Sequence, residues 1–252
     1  MVKYKTILSA IDEYLIENDI VKTHDGTSMK KIWNSINKFQ DEYGQNKYEH
    51  VEFYNENGKK VYHYTSNRVN GCGLPNNDYF DKPGNQNLHL MHNHPGSEYT
   101  RYEPIMTCLS KDDVENLIRK NSNGENYYRS ITCSATNGFT MSLIRKDDFD
   151  DKDISSFNKA YSKLDEAYSE YKSKYLKALD NELREWNLAH PTNPDGTKEF
   201  LSKSEMYNLG VKRLYKDEGT FTSYLKKQGI FDEFENCNCK LRIREGKIPG
   251  VE

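Results

Sequence analysis

No stretch of this chain is both apolar enough and long enough to span a bilayer, and residues Met1 to Thr6 lack the apolar core of a signal peptide. The expected location is the cytoplasm, with export by a route the chain does not encode left open. Cysteine is scarce. The five present are odd in number and show no framework spacing, which argues against a disulfide scaffold and for a reducing compartment. Charge of one sign is also missing. With 36 basic and 39 acidic residues the net charge is -3, so nothing draws the whole molecule to nucleic acid or to an acidic membrane. There is no internal repeat and no low-complexity tract. Apolar residues make up only 35% of the chain, and the 19 tyrosines supply much of that, so the core is expected to be rich in tyrosine.

What is present is a series of short periodic segments. Ile7, Leu8, Ile11, Leu15 and Ile16 have helical spacing, and a second helix is expected from Met29 to about Tyr43, with Ser28 able to cap it. Val51 to Tyr54 and Lys60 to Thr65 read as two strands around Asn55-Glu56-Asn57-Gly58, where Asn57-Gly58 can take the positive φ values of a tight turn. From Ser66 to Gln86 turn formers dominate, a long loop of the kind that often walls a functional site. A helix over Asp112 to Arg119 and strands over Tyr127 to Cys133 and Phe139 to Ile144 follow. Beyond them Phe157, Tyr161, Leu164, Tyr168, Tyr171 and Tyr175, then Leu179, Leu183 and Trp186, trace one long amphipathic helix ending at a Pro-rich turn near His190. Its stripe packs on the rest of the chain or, as the sharper alternative, mediates self-association. A shorter helix from about Ser202 to Tyr215 and a charged tail through Arg242-Ile243-Arg244 complete the chain.

The densest chemistry lies in Leu88-His89-Leu90-Met91-His92-Asn93-His94-Pro95, followed by Ser110-Lys111-Asp112-Asp113. Residues i and i+2 of a strand project from one face, so His92 and His94 can share one ion while His89 turns away. A catalytic zinc typically takes three protein ligands, and Asp113, at the start of the next helix, is the candidate third. Each feature also has a purely structural explanation. Ser110 and Asp113 have the spacing of a capping box, and two histidines on one strand face can simply hydrogen-bond to each other.

His-x-His-Pro followed by Ser-x-x-Asp resembles the signature of the JAMM (MPN+, JAB1-type) metalloproteases in its bacterial and phage form. The resemblance covers roughly Tyr48 to Lys146. It implies a Zn²⁺ ion held by His92, His94 and Asp113, and a catalytic pair, Glu49 as acid/base and Ser110 as donor to the oxyanion. It implies an α/β fold of the cytidine-deaminase-like kind, a mixed β-sheet with flanking helices. Hence the expected division is an N-terminal helical segment at 1–47, a JAMM-like metallopeptidase domain at 48–147 and a C-terminal helical extension at 148–252. The implied reaction is hydrolysis of an amide or isopeptide bond in a protein or peptide, including removal of a ubiquitin-like modifier. Two departures stand out. Glu52 lies close enough to compete with Glu49 for the acid/base role, and the segment from Gly96 to Leu109 is longer than the usual link between the proline and the serine.

Other candidates are weaker. Cys237-Asn238-Cys239 is too short for a zinc knuckle and reads better as a strand with two small side chains, and Cys72 and Cys108 sit in no thiol-nucleophile signature. The competing class of function is a non-catalytic module of the same fold, whose helical extensions hold a protein partner. Neither reading calls for nucleic acid or membrane.

Overall fold

The computed structural model describes residues 30–43, 46–65, 67, 72–95, 109–193, 199–248 and 250–251. The helix expected over Ile7 to Ile16 and most of the Gly96 to Leu109 segment lie outside these residues. The described chain is mixed α/β, built on a six-stranded sheet in the order β2-β1-β3-β4-β5-β6. The strands are β1 (His50–Tyr54), β2 (Lys60–Thr65), β3 (Leu88–His94), β4 (Tyr128–Ala135), β5 (Thr140–Arg145) and β6 (Cys239–Arg244). The β3–β4 pair is parallel and every other neighbouring pair antiparallel. The helices are α1 (Lys30–Tyr43), α2 (Asn77–Phe80), α3 (Lys111–Leu117), α4 (Asp151–Ala189), α5 (Lys203–Asp217), α6 (Phe221–Lys227) and α7 (Ile230–Glu235).

The two faces of the sheet differ, because the strands alternate. On one face Val51, Phe53, Leu88, Leu90, Ile131, Cys133, Met141, Leu143 and Leu241 join the main core with Phe157, Leu164 and Tyr171 of α4, Phe221 of α6 and Phe234 of α7. The other face carries small hydroxyl side chains that are nonetheless buried, among them Ser130, Thr132, Ser134, Thr140 and Ser142. Register makes that burial inexpensive. Thr132 lies opposite Ser142 with oxygens 2.8 Å apart, and Ser134 opposite Thr140 at 3.5 Å, so hydroxyls satisfy one another across the β4–β5 ladder. Helix α1 closes part of this face through Ile36, Phe39 and Tyr43, which cluster with Tyr54, Met91 and Ile144.

Several expectations are corrected. The turn between β1 and β2 has positive φ at Gly58 (72°) but not at Asn57; instead the Asn55 side chain accepts from the backbone N–H groups of Asn57 and Lys59, at 3.1 and 3.0 Å. The loop from Ser66 to Gln86 contains α2, whose Phe80 is fully buried. The charged tail is a strand. In β6 Cys239, Leu241 and Ile243 alternate with Lys240, Arg242 and Arg244, and the strand pairs with β5 along its full length. The segment after position 148 is therefore not helical throughout, and it contributes both a strand and core residues to the same body as the strands before it.

Helix α4 runs 39 residues, about 58 Å at 1.5 Å per residue, and begins with a capping box in which Asp150 accepts from Asp153 N at 2.7 Å. Its buried residues run from Phe157 to Ala178; the final turns project past the core, and Leu188 is 83% exposed. Among the described residues no helix is long and apolar enough to cross a membrane.

Candidate metal centre

The site is assembled by register. In the β1–β3 ladder Val51 lies opposite His92, and opposed residues of an antiparallel pair share a face. Two residues back from Val51 and two on from His92, Glu49 comes to the same edge as His94. The ligand atoms of Glu49, His92 and His94 lie within 4.8 Å of one another. On the other side of β3, the buried Cys133 and Ala135 of β4 stand beside His92 and His94.

Asp113 arrives from α3. Ser110 is the N-cap: its Oγ accepts from Asp113 N at 3.2 Å, while Asp113 Oδ2 accepts from both Ser110 N and Ser110 Oγ at 2.7 Å. The capping box leaves the other carboxylate oxygen to face the histidines, with Oδ1 3.3 Å from His92 Nε2; the Oδ2 to His94 Nε2 distance is 3.9 Å. Capping and convergence on the histidines are thus two uses of one carboxylate. The start of α3 is itself anchored from the helical region, since Tyr161 on α4 donates its hydroxyl to the Leu109 carbonyl at 3.0 Å.

His92 is buried and His94 is partly exposed, and their Nε2 atoms are 2.9 Å apart. Burial works against a proton on His92, but the Asp113 carboxylate and, more weakly, Glu49 and the Thr132 carbonyl outweigh it and raise its pKa. Burial and the neighbouring His92 push His94 down to about 4. Burial also opposes the charge on Asp113, yet the two histidines and the Ser110 hydroxyl hold its carboxyl well below the usual carboxylate range. Glu49 and Asp113 each bring a carboxylate to the two imidazoles.

This donor set fits zinc. With metal–nitrogen bonds of about 2.0–2.1 Å, tetrahedral neighbours stand about 3.3 Å apart; the His92–His94 and His92–Asp113 separations are 2.9 and 3.3 Å, and that from Asp113 to His94 is wider at 3.9 Å. Nε2 of His92 is the atom turned to the other ligands, 2.9 Å from His94 Nε2 and 3.3 Å from Asp113 Oδ1. Either carboxylate can complete a three-ligand set: Glu49 has its ligand atom within 4.8 Å of both histidines, and Asp113 stands 3.3 Å from His92 and 3.9 Å from His94.

The other expected residues fall as follows. Ser110 lies beside the site, but its hydroxyl is engaged with Asp113. Glu52 points to the opposite face, where it accepts from the Tyr54 hydroxyl and pairs with Lys60. His89 also faces away, its Nδ1 2.7 Å from Ser130 Oγ. Burial raises the Cys237 thiol to about 11 and the Cys239 thiol further, so neither is a ready thiolate or zinc ligand. The sequence pattern gives no role to Asn93, between the two histidines, yet its buried amide bonds to the chain on both sides of Glu49.

Comparison with family models, with curated proteins and with solved structures returns no match to this chain. The likeness to JAMM enzymes is carried by the motif residues alone.

Proposed function

We propose that this protein is a zinc-dependent hydrolase of amide or isopeptide bonds, of the JAMM kind, acting on a protein or peptide such as a ubiquitin-like conjugate. The supporting observation is that His92 and His94 of β3 are met by Glu49 from the approach to β1 and by Asp113 from the first turn of α3. In this reading the sheet and α3 form a cytidine-deaminase-like catalytic layer. His92, His94 and Asp113 hold the ion. A bound Zn²⁺ supplies the charge that lowers the pKa of a water molecule from about 15.7 towards about 7. Glu49 takes the water's proton and delivers it to the leaving amine. Ser110 holds Asp113 in place, and it serves as oxyanion donor only by releasing Asp113 Oδ2.

A second reading is a non-catalytic module in which the helices hold a protein partner. Helix α4 runs past its last buried residue, Ala178, into exposed turns that such a partner would use. The two readings separate in one experiment. Zinc-loaded protein is incubated with ubiquitin-like conjugates and a peptide library, and products are read by mass spectrometry. Cleavage by the wild type, lost in Glu49→Gln and stopped by a chelator, is the expected result. Retention of a conjugate or peptide by wild type and Glu49→Gln alike, without cleavage, would favour the binding module.

A further inference from the structure

The β1–β3 ladder stops at the Val51–His92 pair, one step short of the level of His50 and Asn93. At the next position the Asn93 side chain takes over from the backbone. Its Oδ1 accepts from His50 N at 2.7 Å, and its Nδ2 donates to the Tyr48 carbonyl at 3.1 Å. Asn93 is fully buried, so water does not compete for these bonds. The two peptide groups it holds flank a single residue, Glu49. Strand alternation sends the Asn93 side chain away from the face of His92 and His94, so it is not itself a ligand.

We infer that Asn93 is the positioning residue for Glu49: it fixes the backbone on both sides of the carboxylate and so sets where that carboxylate stands relative to His92 and His94. The asparagine between the two histidines then couples the strand that presents the imidazoles to the segment that presents the acid/base. The chemistry requires an amide, because one group must accept from an N–H and donate to a C=O at the same time. An aspartate of the same shape keeps the acceptor facing His50 and replaces the donor facing Tyr48.

This inference rests on the metal reading of the site, and its test separates the two. Zinc affinity is measured by competition with a chromophoric chelator, and the Co²⁺-substituted protein is followed by its visible absorption. The proteins are wild type, Asn93→Ala, Asn93→Asp, Glu49→Ala and the Asn93→Ala/Glu49→Ala double variant, with urea unfolding run on each. The wild type is expected to bind one ion. Asn93→Ala is expected to weaken zinc about tenfold and to shift the Co²⁺ spectrum in the direction of Glu49→Ala, with Asn93→Asp between it and the wild type. In the Glu49→Ala background, removing the Asn93 amide is expected to change neither readout further, although the loss of stability in urea persists. A merely structural asparagine would lower stability without this dependence on Glu49. Multiplying effects on affinity, or an Asn93→Ala spectrum identical to the wild type, would overturn the inference. Failure of the wild type to bind Zn²⁺ or Co²⁺ would overturn the metal reading and the inference together.

Discussion

Asp113 meets His92 with one carboxylate oxygen, Oδ1 at 3.3 Å from Nε2, and gives the other to the N-cap Ser110. A short helix thereby aims its own capping acid at a pair of histidines. Ser110→Ala removes the cap and frees Asp113 to rotate. The expected cost is about 1 kcal/mol in urea unfolding and about tenfold in zinc affinity. An unchanged affinity with slower turnover would instead assign Ser110 to the oxyanion alone.

His89 gives the fold an acid limit. Burial, reinforced by the Arg129 and Arg145 guanidiniums, depresses it to about 3, against about 6.5 in an unfolded chain. Between those values the unfolded state binds a proton that the folded state does not, so stability falls as pH drops through that window. The slope is up to about 1.4 kcal/mol per pH unit. Comparison of wild type with His89→Gln by urea unfolding from pH 7 to pH 4 isolates this contribution, and the variant is expected to show the shallower decline.

The paired hydroxyls of Thr132 and Ser142 make a separate prediction. Thr132→Val leaves the buried Ser142 hydroxyl without its partner 2.8 Å away and is expected to cost about 1–3 kcal/mol. Adding Ser142→Ala removes the stranded group. In thermal or urea unfolding the double variant should therefore lose less than the two single variants summed.

Gly210 lets α5 lie directly against α4. A Cβ there would stand 2.9 Å from Leu179 Cβ and 3.0 Å from its Cα. Gly210→Ala must push the helices apart, and an expected loss of about 1–3 kcal/mol in urea unfolding checks the packing. A gain in stability, as helix propensity alone would give, would show that the crossing yields easily.

The site was easier to read from the sequence than the fold around it. His92 and His94 needed only strand alternation, and the Ser110 to Asp113 spacing announced the capping box that the structure contains. Alternation sets Glu49 and Glu52 on opposite faces without choosing between them; the register places Glu52 on the far face, with Tyr54 and Lys60. The strand reading at Cys237-Asn238-Cys239 reached only the first residue of β6; the rest was read as a charged tail because three of its six residues are cationic, although Cys239, Leu241 and Ile243 alternate strictly with them. Charged side chains are common on the outermost strand of a sheet, where β6 lies. Helices α6 and α7 are only 7 and 6 residues long, too short for periodicity to distinguish them from loop. The hold of Asn93 on Tyr48 and His50 spans more than 40 residues of chain, and no local pattern carries a contact of that range.

The most direct measurement of the central claim is zinc content per chain by elemental analysis, made in parallel on wild type, His92→Ala, His94→Ala and Asp113→Ala after identical zinc loading and desalting. About one zinc per wild-type chain is expected, lost or much weakened in each variant. A wild-type chain that holds no zinc after reconstitution, or variants that hold as much as the wild type, would contradict it.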